Sequence, residues 1–159
     1  MSLISVIMPV YEAEGSLARS IHSLLAQSEE HWELIAVDDG SRDSSFSILE
    51  EYAGKDSRIR AIHQENAGPG AARNAAMALA TGDYVAFLDA DDLWEPCFLE
   101  QILEKIRTED ADVIFYDLIH EGEDGHFIKF SKLSAFSSLD RDGLIRAQMT
   151  GKIDRKSVV

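Results

Sequence analysis

The sequence predicts an α/β domain of Rossmann-like architecture, with a mostly parallel sheet and helices on both of its faces. Two observations predict it. Short runs rich in β-branched residues alternate with segments whose apolar residues recur at helical spacing, giving five strands and four intervening helices. That alternation describes successive βα units joined by right-handed crossovers, which leaves a mostly parallel sheet covered on both sides. The loops that follow the apolar runs are rich in Asp, Gly and Ser. This is the composition expected where the carboxyl ends of parallel strands gather at one edge and open a ligand crevice.

Leu3 to Met8 is the first strand, stopping at Pro9, and Leu17, Ile21, Leu24 and Leu25 place an amphipathic helix after it. Trp32 to Val37 is the second strand. Phe46, Leu49 and Tyr52 mark one face of a second helix that starts near Asp43-Ser44. Arg58 to His63 is the third strand; Asn66-Ala-Gly-Pro-Gly70 is a loop into the alanine-rich helix Ala71 to Ala80, closed by Thr81-Gly82. Tyr84 to Leu88 is the fourth strand, and Leu99, Ile102, Leu103 and Ile106 form a helical stripe behind Pro96. Asp112 to Asp117 reads as a fifth strand, Glu121 to Gly125 as a turn, Phe127 to Phe130 as a strand and Leu139 to Met149 as a helix.

At 159 residues and 45% hydrophobic content the chain suits one domain with a real core. Asp plus Glu number 29 against 15 Lys plus Arg, a net charge of −14 that disfavours nucleic acid and anionic membrane surfaces as partners. The lone Cys97 cannot form an intramolecular disulfide, and it reads better as a small side chain than as a nucleophile. A reducing, cytoplasmic setting fits, including the inner face of the membrane. The amino-terminal stretch lacks a basic n-region and is broken by Pro9, so it is neither a signal peptide nor a membrane span. His22, His31, His63, His120 and His126 show no metal-ligand spacing and receive no role.

Two acidic clusters carry the chemistry. Asp89 and Asp91 flank Ala90 directly after the fourth strand, a carboxylate pair suited to Mg²⁺ or Mn²⁺, hard cations that keep coordination sites for substrate phosphates. The structural alternative is a solvated turn that caps the helix at Glu95-Pro96. Asp38 and Asp39 end the second strand ahead of Gly40-Ser41, where a plain Asx turn is the competing reading. Gly68 and Gly70 precede a helix whose amino-terminal dipole favours an anion, and Arg73 lies within that helix among small apolar residues.

Val6-Ile-Met-Pro-Val-Tyr11, Val37-Asp-Asp-Gly-Ser41, Gly70-Ala-Ala-Arg-Asn74 and Phe87-Leu-Asp-Ala-Asp-Asp92 occur in this order, each at a strand end or helix start. Together they resemble glycosyltransferase family 2, by motif from about Ile4 to Trp94 and more loosely to Val159. The resemblance implies a GT-A fold and inverting transfer of a sugar from a nucleotide-diphosphate donor, commonly a UDP-sugar, to an acceptor hydroxyl on a glycan, lipid or protein. It places Pro9, Val10, Tyr11 and Glu12 against the nucleoside, with Glu12 where the family often has Asn, and has Asp39 accept a hydrogen bond from the base. Gly68 lies near a phosphate or ribose, and Arg73 contacts the nucleotide or braces the acidic pair. Asp89, with Ala90 beside it, goes to the ribose or to a metal-bound water, Asp91 coordinates Mn²⁺ or Mg²⁺, and Asp92 caps the next helix. Asn74 stays outside the core site.

Inverting transfer also needs a general base. None of Asp112, Asp117, Glu121, Glu123, Asp124, Asp140, Asp142 and Asp154 stands in a context that marks it as one. The expectation is therefore a single GT-A domain over residues 1–159, shortened on its acceptor-binding, carboxyl-terminal side, with the base outside this chain. A non-catalytic nucleotide-sugar-binding module is the second class of reading. A phospho-acceptor receiver domain is the third, and the position of the acidic pair after the second strand rather than the first argues against it. Bacterial polysaccharide or cell-envelope glycan assembly is the setting that the resemblance implies.

Overall fold

The structure, a computed structural model, describes residues 2–109, Ile114, and the backbone of 119–121 and 127–129. The chain divides into two units, Met1–Glu109 and Asp110–Val159. In the first, β1 (Ile4–Val10), α1 (Leu17–Leu25), β2 (Trp32–Asp38), α2 (Ser45–Lys55), β3 (Ile59–His63), α3 (Pro69–Met77), β4 (Tyr84–Phe87) and α4 (Phe98–Glu109) follow one another in strict alternation. The strands form one sheet in the order β3-β2-β1-β4, with every neighbouring pair parallel. In the second unit, β5 (Ile119–Glu121) and β6 (Phe127–Lys129) pair antiparallel; the turn read over Glu121 to Gly125 lies, Glu121 aside, outside the described residues.

Period-two alternation along β1 sorts the core into two layers. Ile4, Val6, Met8 and Val10 point to one face, where they meet Leu17, Ile21 and Leu24 of α1, Leu49 of α2, and Leu99 and Leu103 of α4. Ile7, with Ile35 and Val37 of β2, points to the other face, against Ala72 and Ala76 of α3. Small alanines let α3 lie close to the sheet, which explains a helix with so little apolar bulk.

Several element boundaries differ from the sequence reading, and those of β1, α3 and α4 have local causes. β1 continues through Pro9 instead of stopping there. The Val10 carbonyl accepts from the Asp39 amide on the β2 side, whereas the Ile7 carbonyl accepts from the Leu88 amide on the β4 side. Odd positions of β1 therefore face β4, whose pairing ends at Ile7 opposite Phe87, so the N–H that Pro9 lacks has no ladder partner to lose. α3 begins at Pro69, earlier than Ala71, because proline's fixed φ suits a first helical turn, and it ends at Met77. α4 begins at Phe98, more than a turn beyond Asp92, so Asp92 does not cap it. β5 adds a strand at Ile119–Glu121 that the weak alternation there did not announce. The fifth strand read over Asp112 to Asp117, Ile114 aside, and the helix over Leu139 to Met149 lie outside the described residues.

At the amino-terminal end of the sheet, Glu33 of β2 gathers three donors on one carboxylate oxygen: Ser5 Oγ at 2.6 Å, the Thr81 amide at 2.7 Å and Thr81 Oγ1 at 2.8 Å. Burial is the largest single influence and pushes its carboxyl up, but the bonds from Ser5 and Thr81 and the charge of Arg60 outweigh it and leave the group below its usual range. A folded-state value below the unfolded one means stability that is present above about pH 4.5 and is lost as pH falls through the folded value. Glu33→Ala is expected to lower the unfolding free energy by about 1–3 kcal/mol at neutral pH. Urea denaturation of wild type and variant should show that gap narrowing as the medium is acidified below the ordinary glutamate range.

Candidate functional site

Strand order decides where the site lies. The chain runs β1 to β2 to β3 on one side of β1 and then crosses to β4 on the other, so the carboxyl end of β1 is the point where the order reverses. In open α/β sheets that reversal opens the ligand crevice. Here it brings Pro9 to Glu12 after β1, Asp38 and Asp39 at the end of β2, and Asp89 to Asp91 after β4 to one edge. With neighbouring strands about 4.8 Å apart, the ends of β2 and β4 stand roughly 10 Å apart across β1.

Asp39 is only 2% exposed, and its carboxylate is held by three donors. Gln64 Nε2 at 2.6 Å and the Ala67 amide at 2.9 Å donate to Oδ1; the Gly68 amide donates to Oδ2 at 2.8 Å. The main chain joins in, the Asp39 amide donating to the Val10 carbonyl and Asn66 Nδ2 to the Asp39 carbonyl. Burial pushes the acid up more than any other single influence, yet the bonds from Ala67, Gln64 and Gly68 together hold it below the ordinary carboxylate range. Two amides ahead of α3, at the position where the sequence reading expected an external anion, thus serve this internal carboxylate. Three of roughly four acceptor positions on the carboxylate are taken. Two glycines make the clasp possible. Gly40 has φ of 75° and would put a Cβ 2.8 Å from the Asn66 nitrogen, and Gly68 has φ of 91°.

Asp38 is fully buried; its Oδ2 pairs with His63 Nδ1 at 2.7 Å and accepts from the Ser41 amide at 3.2 Å, while Oδ1 has no partner. His63, assigned no role from sequence, is thereby fixed at the end of β3 and packs on Phe46. Tyr11 is 51% exposed at the end of β1, next to Glu12, whose φ of 46° is unusual for a residue other than glycine. The loop holding them is stitched to the one after β2. The Glu12 amide donates to Ser41 Oγ, the Ala13 amide to Ser45 Oγ and the Glu14 amide to Asp43 Oδ2.

Arg73 projects from α3 and its Nη2 donates to Asp89 Oδ1 at 2.6 Å, both side chains about one-third exposed. Of the two roles left open for Arg73, bracing the acidic pair is the contact seen. α3 therefore couples the clusters, its leading loop bound to Asp39 and its second turn bound to Asp89. Asp91 is exposed, and among the described residues its carboxylate makes no hydrogen bond or ion pair. No group of three or more His, Cys, Asp or Glu among the described residues is placed to hold a metal. Two carboxylates, one unengaged and one with an oxygen to spare, are the donor set that Mg²⁺ or Mn²⁺ takes when phosphates and water complete its shell. The residues fit such an ion.

A family model described as glycosyl transferase family 2 matches residues 5–156. The chain belongs to that family. The putative glycosyltransferase EpsH of Bacillus subtilis is 35% identical over 151 residues, 94% of this chain and 44% of that protein. The putative teichuronic acid biosynthesis glycosyltransferase TuaG of Bacillus subtilis is 48% identical over 103 residues, 64% of this chain and 41% of that protein. The crystal structure of S. aureus TarS in complex with UDP-GlcNAc superposes with a TM-score of 0.66 at 32% identity, covering 70% of this chain and 33% of that one. This family 2 chain thus spans less than half the length of these relatives. The likeness to TarS bears out the expected GT-A fold.

Asparagine at position 39 can offer only one acceptor oxygen and sets an NH₂ against an amide that needs an acceptor. Asp39→Asn is therefore expected to cost about 2–3 kcal/mol of stability at neutral pH. Chemical denaturation across the acid range should also show it removing stability that wild type keeps above, and loses below, the ordinary carboxylate range, since Asp39 titrates lower when folded.

Proposed function

We propose that this edge of the sheet binds a UDP-sugar together with Mn²⁺ or Mg²⁺, and that the full-length enzyme transfers the sugar to an acceptor hydroxyl with inversion. The observation that carries the reading is the α3 linkage: one helix joins the Asp39 clasp to the Arg73–Asp89 ion pair, so that the acidic residues after β2 and after β4 are tied together at one edge of the sheet. The TarS complex with UDP-GlcNAc supports the same donor class for this chain.

Each residue then has a chemical task. The exposed ring of Tyr11 offers a face for the nucleobase to stack on, and the main chain from Pro9 through Val10 to Glu12 approaches base and ribose. Asp39 keeps one acceptor position for the imide N–H of uracil, a donor that a carboxylate suits. Gly68, with no side chain, leaves room for ribose or phosphate beside the loop. Arg73 holds Asp89 in place, and Ala90 keeps the two carboxylates one residue apart. Asp89 and Asp91 would hold the divalent cation, which when bound offsets the charge that develops on the departing diphosphate. The general base and the acceptor platform belong to the downstream part of the protein. Residues 1–159 then act as the donor-binding side of one GT-A domain.

The acceptor in this reading is a sugar, lipid or protein hydroxyl used in cell-envelope polysaccharide assembly, with the enzyme in the cytoplasm or at the inner membrane face. No helix among the described residues is long and apolar enough to cross a membrane. The second reading, a module that binds donor without transferring sugar, differs only in turnover. Release of UDP from UDP-sugar in the presence of acceptor separates the two.

Calorimetric titration of UDP, GDP and dTDP, with and without Mn²⁺, tests the site directly. UDP should bind most tightly, and Mn²⁺ should strengthen it by about tenfold or more, a gain that Asp91→Ala abolishes. Affinity indifferent to metal, or an Asp91→Ala protein that keeps the gain, would remove the acidic pair from the site.

A further inference from the structure

α1 carries two rows of residues. Leu17, Ile21 and Leu24 form the apolar row that faces the sheet, while Ser20 and Ser23 form a polar row beside it that Gln27, two residues past the end of the helix, continues. Ser20 is 0% and Gln27 7% exposed, so their polar atoms need protein partners. They find them along the backbone of 90–99. Ser20 Oγ donates to the Ala90 carbonyl at 2.9 Å, and the Trp94 amide donates to Ser23 Oγ at 3.2 Å. Gln27 Nε2 donates to the Glu95 carbonyl at 2.8 Å, and the Leu99 amide donates to Gln27 Oε1 at 3.0 Å.

The first of these bonds has a particular position. The Ala90 carbonyl and the Asp91 amide nitrogen belong to one planar peptide group, so a bond to that oxygen sets the orientation of the plane from which Asp91 projects. The turn is closed around it by the Asp92 amide donating to the Asp89 carbonyl at 3.0 Å. Asp89 has a second restraint in Arg73. Asp91 has none on its own carboxylate among the described residues, so its placement is delegated to the backbone.

We infer that Ser20 is a positioning residue for the divalent-cation site, fixing Asp91 through the Ala90 carbonyl. The inference rests on the reading of Asp89 and Asp91 as a metal clamp. Bonds that orient a metal ligand typically govern about 10- to 100-fold in metal affinity. Gln27 grips the same segment further along, near α4, and supplies the comparison: it serves the fold of the segment without touching the peptide that carries Asp91.

The experiment compares wild type, Ser20→Ala, Ser20→Cys and Gln27→Leu. It measures the urea midpoint, UDP affinity with and without Mn²⁺, and the electron paramagnetic resonance signal of bound Mn²⁺. Ser20→Ala and Gln27→Leu should both lower the urea midpoint. Only Ser20→Ala should lose the strengthening of UDP binding by Mn²⁺, by about tenfold, and broaden the bound Mn²⁺ signal, with metal-free UDP affinity unchanged. Ser20→Cys, a near-isosteric but weaker donor, should fall between wild type and Ser20→Ala, and it carries the test if the alanine variant does not fold. Full retention of the Mn²⁺ effect in the Ser20 variants, or an equal loss in Gln27→Leu, overturns the positioning role while leaving the clamp standing. A wild type indifferent to Mn²⁺ overturns the clamp itself, and the positioning role with it.

Discussion

A buried carboxylate at the end of a central strand is costly unless fixed dipoles replace the water it gives up. Asp39 meets that requirement with one side-chain amide and two consecutive backbone amides, and the rest of the edge follows from how those donors must be arranged. Ala67 and Gly68 can both point at one carboxylate only if the chain turns there, which the positive φ of Gly68 allows, and that turn delivers Pro69 as the first residue of α3. Once the start of the helix is fixed, its direction is fixed too. Arg73 comes up one turn later facing the loop after β4, where it meets Asp89. The charge on β2 and the charge on β4 are thus placed by the same helix, although neither touches the other.

The loop after β1 is controlled differently. Its amides at Glu12, Ala13 and Glu14 have no strand or helix to bond, and the side chains of Ser41, Ser45 and Asp43 accept them in turn. The stretch after Asp39 therefore does more than begin α2. It supplies the acceptors that tie down the neighbouring loop after β1, in which Tyr11 is exposed.

What the sequence made legible was whatever leaves a periodic or chemical trace. The alternation along β1 and β2, the apolar row of α1 and the stripe of α4 recur at the spacing their geometry demands, and the acidic pairs stand out because carboxylates rarely follow apolar runs without reason. Pro9 misled because a proline ends a strand only when its missing N–H was needed, a fact that depends on where β4 stops. The three donors on Asp39 were illegible because two of them are backbone amides, which every residue carries. The polar row on and just after α1 was illegible for the same reason, since Ser20, Ser23 and Gln27 look like ordinary surface residues until the backbone some 70 positions downstream is laid across them.

Glu12 shows how such constraints pass from side chain to main chain. A residue with a Cβ in the left-handed region costs roughly 1–2 kcal/mol, a cost that asparagine offsets with local hydrogen bonds more readily than glutamate does. The resemblance to the family implies that asparagine is common at this place, and here glutamate adopts a left-handed backbone, with φ of 46°. It can do so because the conformation is imposed from outside. The Glu12 amide is anchored on Ser41, and the amides on either side of the next peptide are anchored on Ser45 and Asp43. The side chain at this position is exposed and makes no demand of its own. What fixes position 12 is therefore the anchoring of the loop backbone on Ser41, Ser45 and Asp43, and that path needs no help from the side chain that would adopt it most easily.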